Sequence, residues 1–329
     1  MDSVRHNDGM NHVLVTGGAG YIGSHLCKTL KSVGLEPVSV DNLVTGFSEN
    51  VRWGPLVELD LRDYRSMVKK LDDYRFSAIF HLAASAYVGE SQQNPLKYYE
   101  NNLSSTINVI KYQIEHEIPN LVFASSCSVY GNVDSKSISE SDIALPTNVY
   151  ADTKLICERM ISNSLKETDK SWAILRYFNV SGVDPEGDIG ERHEPETHLI
   201  PRIINCIRNG NTLDVYSESE ASIDLTPIRD FVHVSDIARG NLLALKFIQE
   251  TGESQIFNLG SGRGNSVLDI IKHVRSMGYT LRTQFSPPRN GDPKNLVSDI
   301  SKAKQLLNWQ PERSKITNII QSYFQLEPL

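Results

Sequence analysis

Short apolar runs alternate with longer amphipathic stretches in residues 1–180. Runs this short are typical of strands buried in a parallel sheet, whereas apolar residues at every third or fourth position predict helices. Strands are predicted at 13–16, 37–40, 56–59, 78–83, 121–125 and 173–177, and helices at 24–33, 65–71, 95–116 and 149–165. This alternation predicts the α/β class, with a doubly wound parallel sheet that carries helices on both faces.

The pattern changes after residue 180. Residues 182–188 are rich in glycine, proline and acids, which indicates a loop that leaves the sheet. Beyond it we predict a helix at 198–208, a strand at 213–216, a polar loop at 217–224 and a helix at 266–277, while a helix at 231–248 and a strand at 255–259 return to the first unit. The sequence thus predicts a first domain of residues 1–180, completed by 230–259, and a smaller, discontinuous α/β domain within 181–329.

Three glycines follow the first strand and open the first helix. Gly17, Gly20 and Gly23 permit a sharp turn, the approach of a pyrophosphate to the helix N-terminus, and close packing of that helix on the strand. The second strand runs into Asp41, 18 residues after Gly23, near the ~20-residue offset at which an acid binds the ribose of an adenine dinucleotide. These features predict a Rossmann dinucleotide site; the alternative is a turn without a ligand, with Asp41 capping a helix.

The charge around Asp41 favours NAD over NADP. A carboxylate at this position repels a ribose 2′-phosphate, and residues 42–46 contain no Arg or Lys that would neutralise one. We therefore predict NAD as the cofactor.

Composition narrows the class of protein. The chain has 329 residues, is 40% apolar and has a net charge of −7, which predicts a globular protein that binds neither nucleic acid nor an anionic membrane. Residues 1–10 are polar and no run of about 20 apolar residues occurs, so we predict neither a signal peptide nor a membrane span. The four cysteines are widely spaced, so we expect reduced thiols in a cytoplasmic protein and no metal site.

Tyr150 and Lys154 lie four positions apart near the start of a predicted helix, so both side chains project from one face. A free tyrosine, with a pKa of ~10, is a poor base at neutral pH. A lysine ammonium at ~5 Å would favour the phenolate by about 3 kcal/mol, roughly two pKa units, at an effective dielectric constant of ~20. We therefore predict that Tyr150 is a general base activated by Lys154. Without a ligand site nearby, the alternative is a Tyr/Lys pair on a solvent-exposed helix face with no catalytic role.

Ser125 and Ser126 lie at the end of the strand predicted at 121–125, where ligands of such sheets bind. A hydroxyl there can hold the substrate oxygen that Tyr150 deprotonates. We predict Ser126 as the third catalytic residue, although Ser125 could exchange roles with it and both could simply satisfy backbone groups.

With these motifs the chain resembles the extended short-chain dehydrogenases and, within them, the UDP-glucose 4-epimerase family. The resemblance extends from Val13 to about Trp309 and is carried by residues 13–23, 40–43, 80–83, 88–91, 98–102, 125–131, 150–154, 175–182, 187–191, 228–234, 258–268 and 289–292. It implies an isomerase with tightly bound NAD that forms a transient 4-keto sugar from a UDP-hexose and returns the hydride to the opposite face. It also implies a homodimer built on the helices at 95–116 and 149–165.

The resemblance also implies residues for both ligands. For NAD these are Tyr150, Lys154 and Phe178, with Gly17, Gly20, Tyr21, Ile22 and Gly23 at the pyrophosphate, Asp41 and Asn42 at the ribose, Asp60 and Leu61 at the adenine, and Leu82, Ala83, Ala84 and Asn102 along the remainder. For the UDP-sugar they are Ser126, Tyr150, Asn179, His198, Leu199, Val215, Tyr216, Arg229, Arg289 and Asp292.

Three alternatives stay open to test. Related 4,6-dehydratases carry an Asp-Glu pair directly after the position of Ser126, where this chain has Cys127 and Ser128, which speaks against dehydration. Another UDP-sugar, such as UDP-GlcNAc, UDP-glucuronate or a UDP-pentose, is an alternative substrate because the resemblance expects a Tyr where this chain has Leu296, and leucine could leave room for an N-acetyl group. The resemblance also expects a Lys near the pyrophosphate where this chain has Ala86, which removes one phosphate contact. The third alternative is an NAD-sensing protein without catalysis, which usually lacks the Tyr/Lys pair.

Overall fold

The structure is a computed structural model that describes residues 12–133, 135–217, 224, 226–287 and 294–326. Strands and helices alternate in its first half. They are β1 (His12–Thr16), α1 (Tyr21–Ser32), β2 (Glu36–Asp41), β3 (Leu56–Glu58), α2 (Tyr64–Leu71), β4 (Phe76–His81), α3 (Val88–Gln93), α4 (Pro95–Glu115), β5 (Asn120–Ser126), α5 (Val149–Leu165) and β6 (Ser171–Tyr177).

The second half is less regular. Its elements are β7 (Asn179–Ser181), α6 (Leu199–Asn209), β8 (Thr212–Tyr216), β9 (Ile228–His233), α7 (Val234–Thr251), β10 (Gln255–Leu259), β11 (Gly264–Ser266), α8 (Val267–Ser276), β12 (Arg282–Ser286), β13 (Asn295–Leu296), α9 (Ser301–Leu307) and α10 (Ile316–Leu326). The prediction of a helix over 231–248 is wrong at its start, because residues 231–233 belong to β9. The polar loop predicted at 217–224 lies mostly outside the described residues.

Seven strands form one parallel sheet in the order β10-β6-β5-β4-β1-β2-β3. The interior strand β1 is a continuous apolar run because its neighbouring side chains enter two different cores. Val13 and Val15 pack with α1 and α7 on one face, and Leu14 packs with α2, α4 and α5 on the other. Both faces are therefore covered, which confirms the predicted doubly wound α/β fold.

The strand order reverses at β1, whose neighbours are β2 on one side and β4 on the other. Connections on the two sides run to opposite faces, so a crevice opens beyond the carboxyl end of β1, where α/β proteins of this type bind ligands. The segment of α7 and β10 returns to this sheet, because α7 packs against α1 and β10 pairs with β6.

The remaining elements surround a second apolar core. Strand β9 pairs with β7, β11 and β13, and β8 pairs with β12. Helices α6, α8 and α10 close this core with buried apolar side chains that include Ile203, Ile271 and Ile319. In the part of the chain that the structure describes, no helix is both long and apolar enough to cross a lipid bilayer.

Candidate active site

The glycine loop between β1 and α1 makes two contacts that exclude any side chain. A Cβ atom on Gly23 would lie 2.0 Å from the carbonyl oxygen of Gly17, and one on Gly17 would lie 2.8 Å from the backbone nitrogen of Ala83. Gly17 also has a φ of +73°, which favours glycine. The loop therefore packs directly against both α1 and the segment after β4.

The N-terminus of α1 is open to an anion. Its N-cap is Gly20, and no side chain caps the helix. The unpaired N–H groups of a first helical turn and the helix dipole together attract negative charge, so this terminus suits a pyrophosphate. Gly20, Tyr21, Ile22 and Gly23 lie at this turn, as the sequence predicts.

Asp41 ends β2 beside the same loop and is almost fully buried. Its two carboxylate oxygens accept one backbone hydrogen bond each, Oδ2 from the Ala19 nitrogen at 3.1 Å and Oδ1 from the Leu43 nitrogen at 2.9 Å. Burial raises the pKa of Asp41, and these hydrogen bonds oppose the rise. Each oxygen keeps a further acceptor site, so the carboxylate fits a ribose diol and the loop as a whole fits NAD.

Asp60, which the resemblance places at the adenine, already has a partner. Arg62 donates to both of its carboxylate oxygens, with distances of 3.0 Å from Nε to Oδ1 and 2.7 Å from Nη2 to Oδ2. This hydrogen bonding lowers the pKa of Asp60. Arg62 was not singled out in the sequence, because nothing in its immediate pattern distinguishes it from other surface arginines.

Asn102 lies beneath the segment that follows β4 rather than on an open surface. Its side chain is 2% exposed, accepts from the Ser85 nitrogen at 2.8 Å, and donates to the Ser85 carbonyl and to Thr153 on α5. Earlier in the same segment, the backbone nitrogens of Leu82 and Ala83 donate to the Thr16 hydroxyl. Asn102 thus positions the segment of Leu82, Ala83 and Ala84 through Ser85, and its predicted place along the NAD site stays a prediction.

Helix α5 positions Tyr150 and Lys154. Its N-cap Asn148 accepts a hydrogen bond from the Ala151 nitrogen at 2.9 Å, which fixes the first turn. Lys154 is buried and donates to the Ala124 carbonyl of β5 at 2.7 Å. The sequence spacing therefore brings both side chains to the carboxyl end of β5.

The electrostatics of this pair differ from the sequence expectation. Burial raises the pKa of Tyr150 to about 12, although its contact with Ser126 acts in the opposite direction. Burial also lowers the pKa of Lys154 to about 8. The sequence prediction rested on the attraction between the two groups, whereas in this structure burial is the largest cause of both pKa shifts, and the charge that acts on the phenol is that of Cys127.

The two serines at the end of β5 take separate roles. Ser125 is buried and donates to the Glu158 carboxylate, which is paired with Arg176. Ser126 ends the strand, accepts from the Ser128 hydroxyl at 2.8 Å and contacts Tyr150. Ser126 is therefore the serine beside the phenol, and the exchange of roles with Ser125 is not supported. Glu158 and Arg176 were missed because only the fold brings them together.

The residues implied for the nucleotide-sugar come from several elements. Asn179 lies in β7, His198 and Leu199 start α6, and Arg229 lies in β9, where its charge acts on Cys127 next to Ser126. The Val215 side chain is buried in the second core, whereas that of Tyr216, the next residue of β8, is partly exposed. Arg289 and Asp292 lie outside the described residues.

The fold and these groups define a class of protein. A doubly wound sheet, an uncapped helix behind a glycine loop, an acid after the second strand, and a Ser–Tyr contact with a lysine one turn further are together typical of extended short-chain dehydrogenases and epimerases.

Comparison with known proteins makes the assignment specific. Residues 13–260 match the NAD dependent epimerase/dehydratase family, and the chain belongs to this family. UDP-glucose 4-epimerase of Rhizobium meliloti is 39% identical over 306 residues, which cover 92% of this chain and 93% of the relative. These matches confirm the family that the sequence motifs indicate and its use of NAD.

Solved structures agree over nearly the whole chain. The UDP-glucose 4-epimerase of Brucella ovis in complex with NAD has a TM-score of 0.90 and 40% identity, over 95% of this chain and 97% of that one. The enzyme of Bifidobacterium longum in complex with NAD+ and UDP has a TM-score of 0.89 and 30% identity, over 96% and 98% of the two chains.

Replacing Gly23 by alanine should remove cofactor binding. The new Cβ would collide with the Gly17 carbonyl, so we expect a loss of stability of about 1–3 kcal/mol and purified protein without NAD. Gly89→Ala is the matched control, since a Cβ there meets nothing within 4 Å. Denaturant unfolding and the NAD content of both variants measure this; retention of NAD by Gly23→Ala would contradict it.

Lys154 should make the cofactor-free protein more stable as the pH rises above 8. Its pKa is about 8 when folded and ~10.4 when unfolded, so between these values the unfolded chain holds a proton that the folded protein has released. Relative to Lys154→Met, the wild type should gain on the order of 2 kcal/mol between roughly pH 7 and pH 9.5. Urea unfolding of both proteins tests this, with the exposed Lys69→Met as control; a pH-independent difference would refute it.

Proposed function

We propose that this protein is an isomerase, an NAD-containing 4-epimerase that interconverts UDP-glucose and UDP-galactose. The observation that carries the proposal is the contact of Tyr150 with Ser126 at the sheet edge that also holds the glycine loop. A phenol and a hydroxyl placed together can hold and deprotonate one alcohol of a bound sugar.

The proposed chemistry assigns a step to each side chain. Ser126 holds the 4-oxygen of the sugar, and Tyr150 takes the proton of the 4-hydroxyl and later returns it. Because the pKa of Tyr150 is about 12 without ligands, the phenol is neutral at rest. When bound, NAD supplies a reversible hydride acceptor for carbon 4 and a positive charge that favours the phenolate. Lys154, held by the Ala124 carbonyl, adds to that charge while it is protonated.

Inversion at carbon 4 requires that the 4-keto sugar rotate to present its opposite face to the cofactor without leaving the active site. We propose that His198, Leu199, Tyr216 and Arg229, with Asn179, Val215, Arg289 and Asp292, bind the UDP part and leave the sugar loosely held. Binding energy placed on the nucleotide can then serve both ring orientations equally. The first domain, residues 1–180 with 230–259, would hold the cofactor, and the remainder of 181–329 would hold the UDP-sugar.

We also propose a homodimer formed through α4 and α5. Helix α4 carries Leu96 and Ile107 with exposed fractions of 79% and 52%, and large apolar side chains on one helix favour a partner surface. A sedimentation mass of one chain would contradict the dimer.

We propose a cytoplasmic location as well. The four cysteines are unpaired, which supports a reducing, cytoplasmic environment.

Replacing Tyr150 by phenylalanine should abolish epimerisation while NAD stays bound. Removal of the proton acceptor should lower kcat about 10²–10⁴-fold. The matched control is Tyr99→Phe, which removes a hydroxyl that binds Asp152 on the same helix α5. Coupled assays with UDP-galactose and the NAD content of each variant test this; unchanged turnover by Tyr150→Phe would refute the assignment.

A UDP-N-acetylhexosamine is a second candidate substrate, and Leu296 favours it. This side chain is 6% exposed and packs in one apolar cluster with Phe178 and Cys127, next to Ser126. A leucine leaves more room there than the tyrosine expected from the resemblance.

Leu296→Tyr should therefore discriminate between the two sugars. We expect kcat/KM for UDP-GlcNAc to fall at least about ten-fold more than kcat/KM for UDP-glucose, because the larger ring would occupy the space of the N-acetyl group. Leu296→Met, which nearly preserves the volume, is the control. Equal losses for both sugars would exclude Leu296 as the determinant.

A further inference from the structure

Two carboxylates and two imidazoles meet in the segment just before α6. Glu191, His193, Glu196 and His198 each direct one oxygen or nitrogen atom to a common point, with these four atoms within 4.8 Å of one another. The cysteine spacing predicted no metal site, but this cluster contains no cysteine, so that spacing gives no information about it. Its side chains range from buried for Glu191 to half-exposed for His198.

The separations between the imidazole nitrogens and the carboxylate oxygens are close to those between the ligand atoms of a tetrahedral metal site. His193 Nδ1 lies 3.6 Å from Glu191 Oε1 and 3.4 Å from Glu196 Oε2. His198 Nδ1 lies 3.5 Å from Glu191 Oε1 and 3.0 Å from Glu196 Oε1. Zinc bonds of ~2.0–2.1 Å in a tetrahedron place neighbouring ligand atoms about 3.4 Å apart. The three separations of 3.4–3.6 Å are close to this value, and the 3.0 Å pair, which uses the other Glu196 oxygen, is a hydrogen-bond distance.

A second layer of contacts holds Glu191 in place. The side chain is 1% exposed, and the oxygen that faces away from the histidines accepts a hydrogen bond from the Tyr323 hydroxyl of α10. The Tyr323 oxygen in turn accepts from the Gly182 nitrogen at 3.0 Å and is bonded to Ser181 at 2.8 Å. Ligating carboxylates in metal sites are oriented by hydrogen bonds of this kind.

A neighbouring cluster of three carboxylates differs from the Glu191 cluster because a lysine ammonium occupies its centre. Asp184, Glu186 and Asp188 all surround the Lys28 ammonium, with carboxylate oxygens 2.7 Å from Nζ. Among the described residues, by contrast, no lysine or arginine forms an ion pair with Glu191 or Glu196. The two carboxylates of the Glu191 cluster therefore face imidazoles without a fixed cation between them.

We propose that Glu191, His193, Glu196 and His198 form a four-ligand site for a divalent transition metal of the zinc class. Two imidazole nitrogens with two carboxylate oxygens favour Zn²⁺ or Co²⁺ over Mg²⁺ and Ca²⁺, which prefer oxygen ligands throughout. Four protein ligands make the site structural. The metal joins the segment before α6 to α10 through Tyr323, and it fixes the start of the helix that carries His198 and Leu199.

The test measures metal binding directly, without NAD or sugar, so that its result is independent of the proposed epimerase activity. Untagged full-length protein is stripped with a chelator and titrated with Co²⁺ and then with Zn²⁺. We expect one equivalent of Co²⁺ with the strong visible absorption of tetrahedral cobalt, displacement of that absorption by one equivalent of Zn²⁺, and a higher Tm with Zn²⁺.

Variants assign the signal to the cluster. Glu196→Gln and His193→Gln should each raise the Kd for Zn²⁺ at least about ten-fold, and Tyr323→Phe should raise it about 10–100-fold. Glu194→Gln is the matched control, since it removes the same charge from an exposed side chain of the same segment and should leave the Kd unchanged. Circular dichroism verifies that each variant folds. If another variant is unfolded, the Kd of the isosteric Glu196→Gln variant decides the test. Absence of stoichiometric uptake by the wild type, or equal affinity in Glu196→Gln, would overturn the proposal.

Discussion

The contact between the Gly23 Cα and the Gly17 carbonyl is the constraint on which the site depends. It leaves no room for a side chain, and it brings the N-terminus of α1 to the crevice beyond β1. All strands of a parallel sheet end at the same edge, so Asp41 from β2, Ala83 after β4 and Ser126 from β5 converge on that crevice. Helix α5, anchored to β5 through Lys154, then completes the group with Tyr150.

The first half of the chain could be predicted from sequence because its strands are covered on both faces. Such strands are continuous apolar runs, and the helices between them have a clear period. The elements of the second half were harder to predict, because its strands are short and adjoin helices directly. Strand β9 ends at His233 and α7 begins at Val234, so Phe231 and Val232 extend the helical pattern and periodicity cannot separate them. What distinguishes them is their pairing with β7, in which Phe231 lies opposite Asn179, 52 positions earlier in the chain.

The motifs also predicted which residues meet, but not the environment in which they meet. The spacing of Tyr150 and Lys154 places them on one face of α5, whereas the burial that sets their pKa values comes from the surrounding fold. The same holds for Ser125, whose bond to Glu158 separates it from Ser126, and for Asn102, whose amide is bonded to Ser85 and Thr153. Each of these depends on partners distant in sequence, which local patterns do not reveal.

The hydrogen bonds of Asp41 have a consequence for the kinetics of cofactor capture. The Ala19 and Leu43 nitrogens hold both oxygens, so the carboxylate is joined to the loops on either side of it in the structure without a nucleotide. The entropic penalty of ordering this half of the cleft is met during folding rather than at encounter. If Asp41 binds the adenosine ribose as the sequence predicts, the ribose meets a carboxylate that is already oriented.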